Sequence, residues 1–479
     1  MLPDNQEPGL ARCANAKRVI ACAIIFGTLH IALLSTAMAA SAQDWPPKLD
    51  RTNPISQSLN GRRIERYTHG VRLDWGYPAS SASSWQYPNP RETAHSGQNH
   101  NSLYVVFPKG HSRHAPLCVV LHSANRTGFD YLGYQFLNRK VEPTDTPADV
   151  MTRVTDSCYV LYLNSTDDEW WGWKMARDEN AQDPHALSPA EKRVLDTIEW
   201  VIRRYKIDRN RVYLSGVSMG GCGALGIGLP HGNIFAAVLV DVPAGTDFAA
   251  LRFGFQGAHA SQASESERGA GIQGNGLPDP PVVVDFSAQN DSWSKTQPQL
   301  LSAALAEKLP LIVAWAPFGH TAFSTSIVQF PEDAVALSFP WLEIRKNAAY
   351  PVFTNASSDQ RSPWGTSSTG FDESGQMNAY FRWSNERDKA SSFAMKLWLA
   401  HPDVKNPPSM MPSVSTTDIT LRRLQSFKVQ PGKVYAWRLV RESRVVDSGK
   451  VVPDAANLIT IPHVALNLVP TELTVEVVK

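Results

Sequence analysis

Asp208-Arg209-Asn210-Arg211-Val212-Tyr213-Leu214-Ser215-Gly216-Val217-Ser218-Met219-Gly220-Gly221 is the stretch on which the reading of this chain turns. A polar turn feeds a short apolar run, and that run ends in a serine with a glycine two positions to either side. The pattern is G-x-S-x-G between a strand and a helix start. Such a serine stands on a sharp turn above a sheet edge, and the flanking glycines leave room for the backbone to reverse. A serine hydroxyl is a poor nucleophile until a base takes its proton and its oxygen is exposed. The helix that begins after Ser218 directs its positive end at the same oxygen. Five residues of this kind recur by chance as an ordinary glycine-rich turn, so the context decides. Upstream, Ser188-Pro189-Ala190-Glu191 forms a capping box with proline at the first helical position. Val194, Leu195, Ile198, Val201 and Ile202 then follow at helical spacing, and the helix is predicted to end near Tyr205.

Working outward, nearly continuous apolar runs occur at 117–122 (LCVVLH), 158–163 (CYVLYL), 235–240 (FAAVLV), 282–286 (VVVDF) and 311–315 (LIVAW). Strands buried on both faces read this way, and the helical patterns between them predict an α/β fold with a mostly parallel sheet and helices on both faces. The expected order of catalytic groups on such a sheet is serine, acid, histidine. His320, in Ala316-Pro317-Phe318-Gly319-His320-Thr321, follows the 311–315 run and is the candidate base. His231 competes, but Pro230-His231-Gly232-Asn233 reads as a helix-ending turn. Asp291 lies on the loop after the 282–286 run and is the candidate acid. Asp285, within that run, and Asp241 and Asp247, after the preceding one, are the alternatives. A tetrahedral intermediate needs two N–H donors. Met219 would supply one, and the loop His122-Ser123-Ala124-Asn125 the other, through Ser123 or Ala124. His122 reads as structural rather than catalytic.

At this point the chain resembles a known group. The stretch from Asp208 to Gly221, followed by Pro230 and Phe235-Ala236-Ala237, is similar to the core of secreted α/β-hydrolase carboxylesterases of the feruloyl and acetylxylan esterase type. Polyhydroxybutyrate depolymerases and prolyl-oligopeptidase-like hydrolases share much of that core. The resemblance spans about 117–320 and is specific for fold and triad, not for substrate. It implies ester hydrolysis through an acyl-enzyme, with no cofactor. Many of these relatives have glycine where this chain has Ser123, which leaves both Ser123 and Ala124 open as the donor. Trp170-Trp171-Gly172-Trp173 follows the 158–163 run, and Trp293 adjoins Asp291. Flat aromatic faces beside a site suit sugar rings or aromatic acyl groups, which makes Trp171, Trp173 and Trp293 candidate substrate contacts. The competing reading packs them as core.

The 479 residues exceed one ordinary core. Residues 1–42 read as an export signal: Arg12, Lys17 and Arg18, an apolar run to about Leu34, then Ala37-Met38-Ala39 and Ala40-Ser41-Ala42 as small-x-small sites. Cleavage is expected after Ala42, which makes the protein secreted or periplasmic, with no membrane contact afterwards. An uncleaved anchor is the alternative. Residues 43–346 form the expected catalytic domain, with a β-rich lead-in (strands at 63–75 and 101–107) and a Ser/Ala/Gly/Gln-rich lid excursion at about 245–280. From 347 to 479, short β-branched and aromatic runs between turns predict an all-β sandwich. Lys+Arg total 46 against 45 Asp+Glu, so there is no basic field for nucleic acid. Of five cysteines, Cys13 and Cys22 lie in the leader, leaving Cys118, Cys158 and Cys222. An odd number leaves a free thiol, and two of the three sit in apolar runs, so buried inert thiols are expected. No Cys/His spacing marks a metal site. The expected partner is an ester substrate, with a polysaccharide ester as one candidate. The other classes left standing are a prolyl-oligopeptidase-like peptidase, disfavoured because no propeller-length segment precedes the core, and a non-catalytic carbohydrate-binding protein.

Overall fold

The apolar runs pair with one another, because a strand with no polar side must be covered on both faces. The computed structural model of the protein describes residues 45–51, 62–68, 72, 75, 102–110, 113–124, 126–136, 157–165, 170, 187–243, 246, 249, 277–294, 296–316, 319–320, 338–360, 374–400 and 411–478. The 1–42 export segment and most of the 245–280 excursion lie outside the described residues. Among the described residues, no helix is long and apolar enough to cross a membrane.

The largest sheet has ten strands. At one edge, β1 (Lys48–Leu49), β2 (Ile64–Thr68) and β3 (Ser102–Val106) run antiparallel to their neighbours. Its centre is parallel: β4 (Leu117–Leu121), β5 (Tyr159–Leu163), β6 (Val212–Val217), β7 (Ala237–Asp241), β8 (Val282–Ala288) and β9 (Leu311–Ala316). The spatial order is β1-β2-β3-β5-β4-β6-β7-β8-β9, closed by a strand from the C-terminal part described below. The chain goes from β4 to β5 on one side, then to β6 on the other. That reversal makes the crevice above β4 and β6 the natural ligand position of an open α/β sheet. Leu121 is level with Gly216, Val217 with Asp241, Asp241 with Phe286, and Ala288 with Ala316. The loops after β4, β6, β7, β8 and β9 therefore emerge along one edge.

Side chains alternate between two cores. Cys118, Val120, Tyr213, Val217, Leu239 and Phe286 face one, with Tyr131 and Leu132 of α1 (Gly128–Phe136). Val119, Leu121, Leu214, Val238, Val240 and Val313 face the other, covered by α2 (Pro189–Tyr205), α3 (Met219–Gly228) and α4 (Gln297–Ala306). Helices thus lie on both faces. The box that opens α2 is reciprocal: Glu191 N–H donates to Ser188 Oγ (3.1 Å) and Ser188 N–H to the Glu191 carboxylate (3.3 Å). Lys206 ends α2 in the left-handed conformation, φ 55°.

The C-terminal part is all β among its described residues. β10 (Tyr350–Thr354), β14 (Val414–Arg422) and β17 (Ile459–Asn467) form a three-stranded antiparallel sheet. β12 (Phe381–Lys389), β13 (Ser392–Leu399), β18 (Thr471–Val477), β15 (Tyr435–Arg441) and β16 (Arg444–Val451) form a five-stranded one. Phe353 stacks on Phe381 between them, centroids 4.2 Å apart.

This part is not detached at the expected 346/347 boundary. β11 (Gly375–Met377) leaves it and pairs antiparallel with β9, completing the ten-stranded sheet. β11 and β12 are separated because Asn378 turns to φ 63°. Its amide donates to the Leu311 and Phe353 carbonyls (3.0 and 3.1 Å). Arg422, at the end of β14, pairs with Asp279 (3.0 Å) and donates to the Glu307 carbonyl (2.8 Å). Arg423 donates to the Pro280 carbonyl (2.8 Å) with its guanidinium over the Tyr350 ring. One core cluster runs from the large sheet into both small ones.

Candidate active site

Ser218 stands between β6 and α3 with φ 58° and ψ −119°. An L-residue there costs on the order of 1–3 kcal/mol, so the surroundings must hold it. They do so through backbone contacts. Ser218 N–H donates to the Asp241 carbonyl and Cys222 N–H to the Ser218 carbonyl, both at 2.9 Å. A Cβ on Gly216 would lie 2.1 Å from the Gly220 oxygen, and one on Gly220 would lie 2.1 Å from the Leu121 oxygen. Both glycines of the motif are therefore required by space.

The Ser218 hydroxyl lies 2.7 Å from His320 Nε2. On the far side of the ring, Nδ1 is 2.6 Å from Asp291 Oδ2. An ionised carboxylate only accepts, so Nδ1 carries the proton, Nε2 presents its lone pair, and the serine O–H donates to it. The Asp291 side chain is wholly buried, and its other oxygen accepts the Trp293 N–H at 2.8 Å. The Ser294 hydroxyl donates to the Ala288 and Asp291 carbonyls (2.7 and 2.9 Å), which fixes the turn that carries the acid. The structure thus brings Ser218, His320 and Asp291 into one hydrogen-bonded line from the ends of β6, β9 and β8.

The competitors are placed elsewhere. His231 Nε2 is 2.9 Å from Glu191, tying the end of α3 to the start of α2. Asp285 is buried within β8, bonded to the Gln297 amide and to the Ser287 hydroxyl (2.9 Å). Burial pushes its carboxyl up to about 7, against hydrogen bonds that favour the anion. Asp241 is buried at the end of β7, where its backbone oxygen receives the Ser218 amide. Asp247 lies outside the described residues. Cys118, Cys158 and Cys222 are buried and outside any disulfide, and burial pushes the Cys118 thiol well up. Among the described residues, no cluster of three or more His, Cys, Asp or Glu could hold a metal.

The loop after β4 is braced from below. Ser165 N–H donates to His122 Nε2 (2.8 Å), which leaves Nδ1 protonated to donate to the Ser123 carbonyl (2.8 Å). His122 is therefore a clamp between the β4 and β5 loops. Trp170 Nε1 donates to the His122 carbonyl (2.8 Å), and its Cβ would lie 2.3 Å from a Cβ on Gly223. The first tryptophan of the Trp170–Trp173 motif is thus core beneath α3, and Trp171 and Trp173 lie outside the described residues. Trp293 is 37% exposed, with its ring centroid 6.4 Å from that of His320.

Of the two candidate amides on this loop, Ser123 N–H is directed at the Tyr131 hydroxyl, 3.2 Å away. Tyr131 was not among the residues expected at the site. Thr127-Gly128-Phe129-Asp130 carries the signal that would have found it. Thr127 N–H donates to the Asp130 carboxylate (2.8 Å) and Asp130 N–H to the Thr127 hydroxyl (3.1 Å), a reciprocal cap that opens α1 and puts Tyr131 in its first turn.

No protein-family model and no curated protein matches the sequence. Among solved structures, the chain is similar to fluorophosphonate-binding serine hydrolase F of Staphylococcus aureus: 14% identity over 53% of this chain and 95% of that one, TM-score 0.32. It is also similar to the acetyl xylan esterase from Aspergillus awamori: 14% identity, 46% and 89% coverage, TM-score 0.31. The Pyrococcus horikoshii acylaminoacyl peptidase shows 14% identity over 48% of this chain and 37% of that one, TM-score 0.29. These neighbours are serine hydrolases, esterases and a peptidase, all distant.

Proposed function

We propose that the protein hydrolyses carboxylic esters through an acyl-enzyme on Ser218. The observation that carries this reading is the line Ser218 Oγ–His320 Nε2–Asp291 Oδ2 at 2.7 and 2.6 Å, beginning on a serine at φ 58°. The Ser218 oxygen attacks the ester carbonyl carbon and its proton passes to His320 Nε2, while the carbonyl π pair moves to oxygen. Asp291 holds the ring and stabilises the imidazolium without taking its proton. The intermediate collapses, the C–O bond to the alcohol breaks, and the alcohol leaves with the proton from His320. Water then repeats the sequence on the acyl-enzyme and frees the acid and Ser218. The N–H of Met219, at the start of α3, is one donor to the oxyanion. The second lies on the side of the β4 loop, where Ser123 and Ala124 are.

Trp293 offers an aromatic face at the mouth, beside the base. Together with the leader-like residues 1–42, it supports an exported esterase acting on acyl groups of a polysaccharide or a related polymer ester. We read the two small antiparallel sheets as a β-sandwich that serves as an accessory unit packed on the catalytic sheet. An aryl acetate, methyl ferulate, a short polyester and a peptide anilide, each tested with the chain and with Ser218→Ala, check the proposal. Ester turnover that is lost in Ser218→Ala is expected. A folded chain inactive on every ester, or a Ser218→Ala variant as active as the parent, overturns it.

A further inference from the structure

The strand ends opposite to the triad carry a concentration of positive charge. Ser218, Asp291 and His320 follow β6, β8 and β9, whereas residues 113–116 and 206–211 precede β4 and β6, which start level at Leu117 and Val212. The chain's 46 Lys and Arg nearly cancel its 45 Asp and Glu, yet residues 199–211 and 343–346 hold seven of the first against three of the second. A helix C-terminus attracts cations, which accounts for Arg203, Arg204 and Lys206 at the end of α2. It does not account for Arg209 and Arg211 before β6, or for Arg345 and Lys346. Glu199 receives both terminal nitrogens of Arg209 (2.7 Å each) and also Arg203 (2.5 Å). Asp208 receives Arg211 (3.0 Å) and Arg345 (3.1 Å). Two cations share each acid, so each group keeps a net positive charge. The Lys346 N–H donates to the Asn210 carbonyl (2.9 Å) and seats the last segment beside the others. Burial lowers the Lys346 ammonium from its ordinary value, and Arg209 and Arg423 lower it further against Asp208 and Glu199. The acids therefore leave the local field positive.

Within this patch is a recess of about 390 Å³, bounded by His114, Arg203, Lys206, Asp208 and Arg209, with Ile202 and Ile207 as its floor. We propose that it binds a uronate residue of an acidic polysaccharide, the C–H face of the ring on the two isoleucines and the carboxylate on the rim cations. An apolar floor with a few polar groups around it is the usual form of a small-molecule site. Here the floor is sunk and the rim is open: Ile202 and Ile207 are 5% and 4% exposed, the Arg203 and Arg209 side chains 74% and 53%. A guanidinium has five N–H donors in a fork that matches a carboxylate, and Arg203 and Arg209 spend only part of theirs on Glu199. Asp208, the acid in the wall, is held by Arg211, Arg345 and the Asn210 N–H (3.0 Å). A bilayer of anionic lipid suits apolar side chains that protrude beyond the cations, and here they lie beneath them. Because the recess and the triad are at opposite strand ends, a polymer held here leaves Ser218 open. The binding is independent of the Ser218 reading.

Calorimetric titration of the full chain with a short unesterified oligogalacturonate tests this. Saturable binding is expected, weakening as salt is raised because the rim charges are exposed. Neutral xylo-oligosaccharides of the same length are expected not to bind. Arg203→Gln combined with Lys206→Gln should weaken binding on the order of tenfold, with the thermal midpoint unchanged. Arg209→Gln, on a different segment, should weaken it as well. No binding by the parent chain, or binding unchanged in both variants, overturns the proposal. Polyglutamate of equal charge bound as tightly would reveal a charge field with no sugar site. Phosphatidylglycerol vesicles bound more tightly than the oligogalacturonate would make the patch a membrane contact. Either of these results overturns the proposal too. A parent chain without ester turnover overturns the Ser218 reading and leaves this one standing.

Discussion

Both oxygens of Asp291 are committed, one to the His320 ring and one to the Trp293 amide, whereas Asp285, six residues earlier, serves β8 and α4. The two carboxyls therefore answer differently to the same change. Asp291→Asn removes the acceptor that fixes the tautomer and is expected to lower kcat about 10⁴-fold with the fold intact. Asp285→Asn is expected to leave kcat within a few-fold and to change stability instead. With its carboxyl raised from 3.8 to about 7, the folded chain holds a proton at Asp285 that the unfolded chain has released. Stability from this group is full below about 4 and is lost as pH rises towards about 7. Denaturant titrations at several pH values should show that this part of the slope disappears in Asp285→Asn. At this scale the position of a side chain was legible in the sequence where it lay on the loop just after a strand. Ser218, Asp291 and His320 each lie on the turn or loop that follows an apolar run, so strand order brings them to one edge. The contact of Tyr131 with Ser123 was hidden because it runs across a turn, between an α1 side chain and a β4-loop amide, and no periodicity reports that.

The elbow is an element whose geometry depends on absent atoms. Gly220→Ala would place a methyl against the Leu121 carbonyl, and neither backbone can yield without moving the serine or the β4 loop. Such overpacking costs typically about 1–3 kcal/mol. The variant should melt earlier and lose ester turnover well beyond what its stability loss explains, as compared by thermal unfolding and kcat/KM at one temperature. Among elements, β16 is not legible in the sequence. Its residues Arg444-Val445-Val446-Asp447-Ser448-Gly449-Lys450 are mostly exposed at a sheet edge, so they show neither alternation nor a continuous apolar run. β4 to β9, buried on both faces, were legible for the opposite reason.

Over the whole molecule, the sequence indicated two kinds of architecture but not how they join. A composition change near residue 346 reads as a border. The join itself depends on pairings distant in sequence, β11 on β9 and Arg422 and Arg423 on the segment before β8. Gly375 is part of it, since a Cβ there would lie 2.5 Å from the Trp315 indole. Truncation after Lys346 should therefore fail to give a cooperatively folding, soluble catalytic unit, and the full chain should unfold with both parts in one transition. A soluble 43–346 fragment with undiminished ester turnover would contradict that. For the reaction itself, the most direct measurement is rapid acid quench of the chain with an aryl acetate, followed by peptide mass spectrometry. One acetyl group on the peptide carrying Ser218, absent in Ser218→Ala, is expected within the first turnover. Release of the aryl alcohol with no acyl group on Ser218, and undiminished in Ser218→Ala, would contradict the acyl-enzyme.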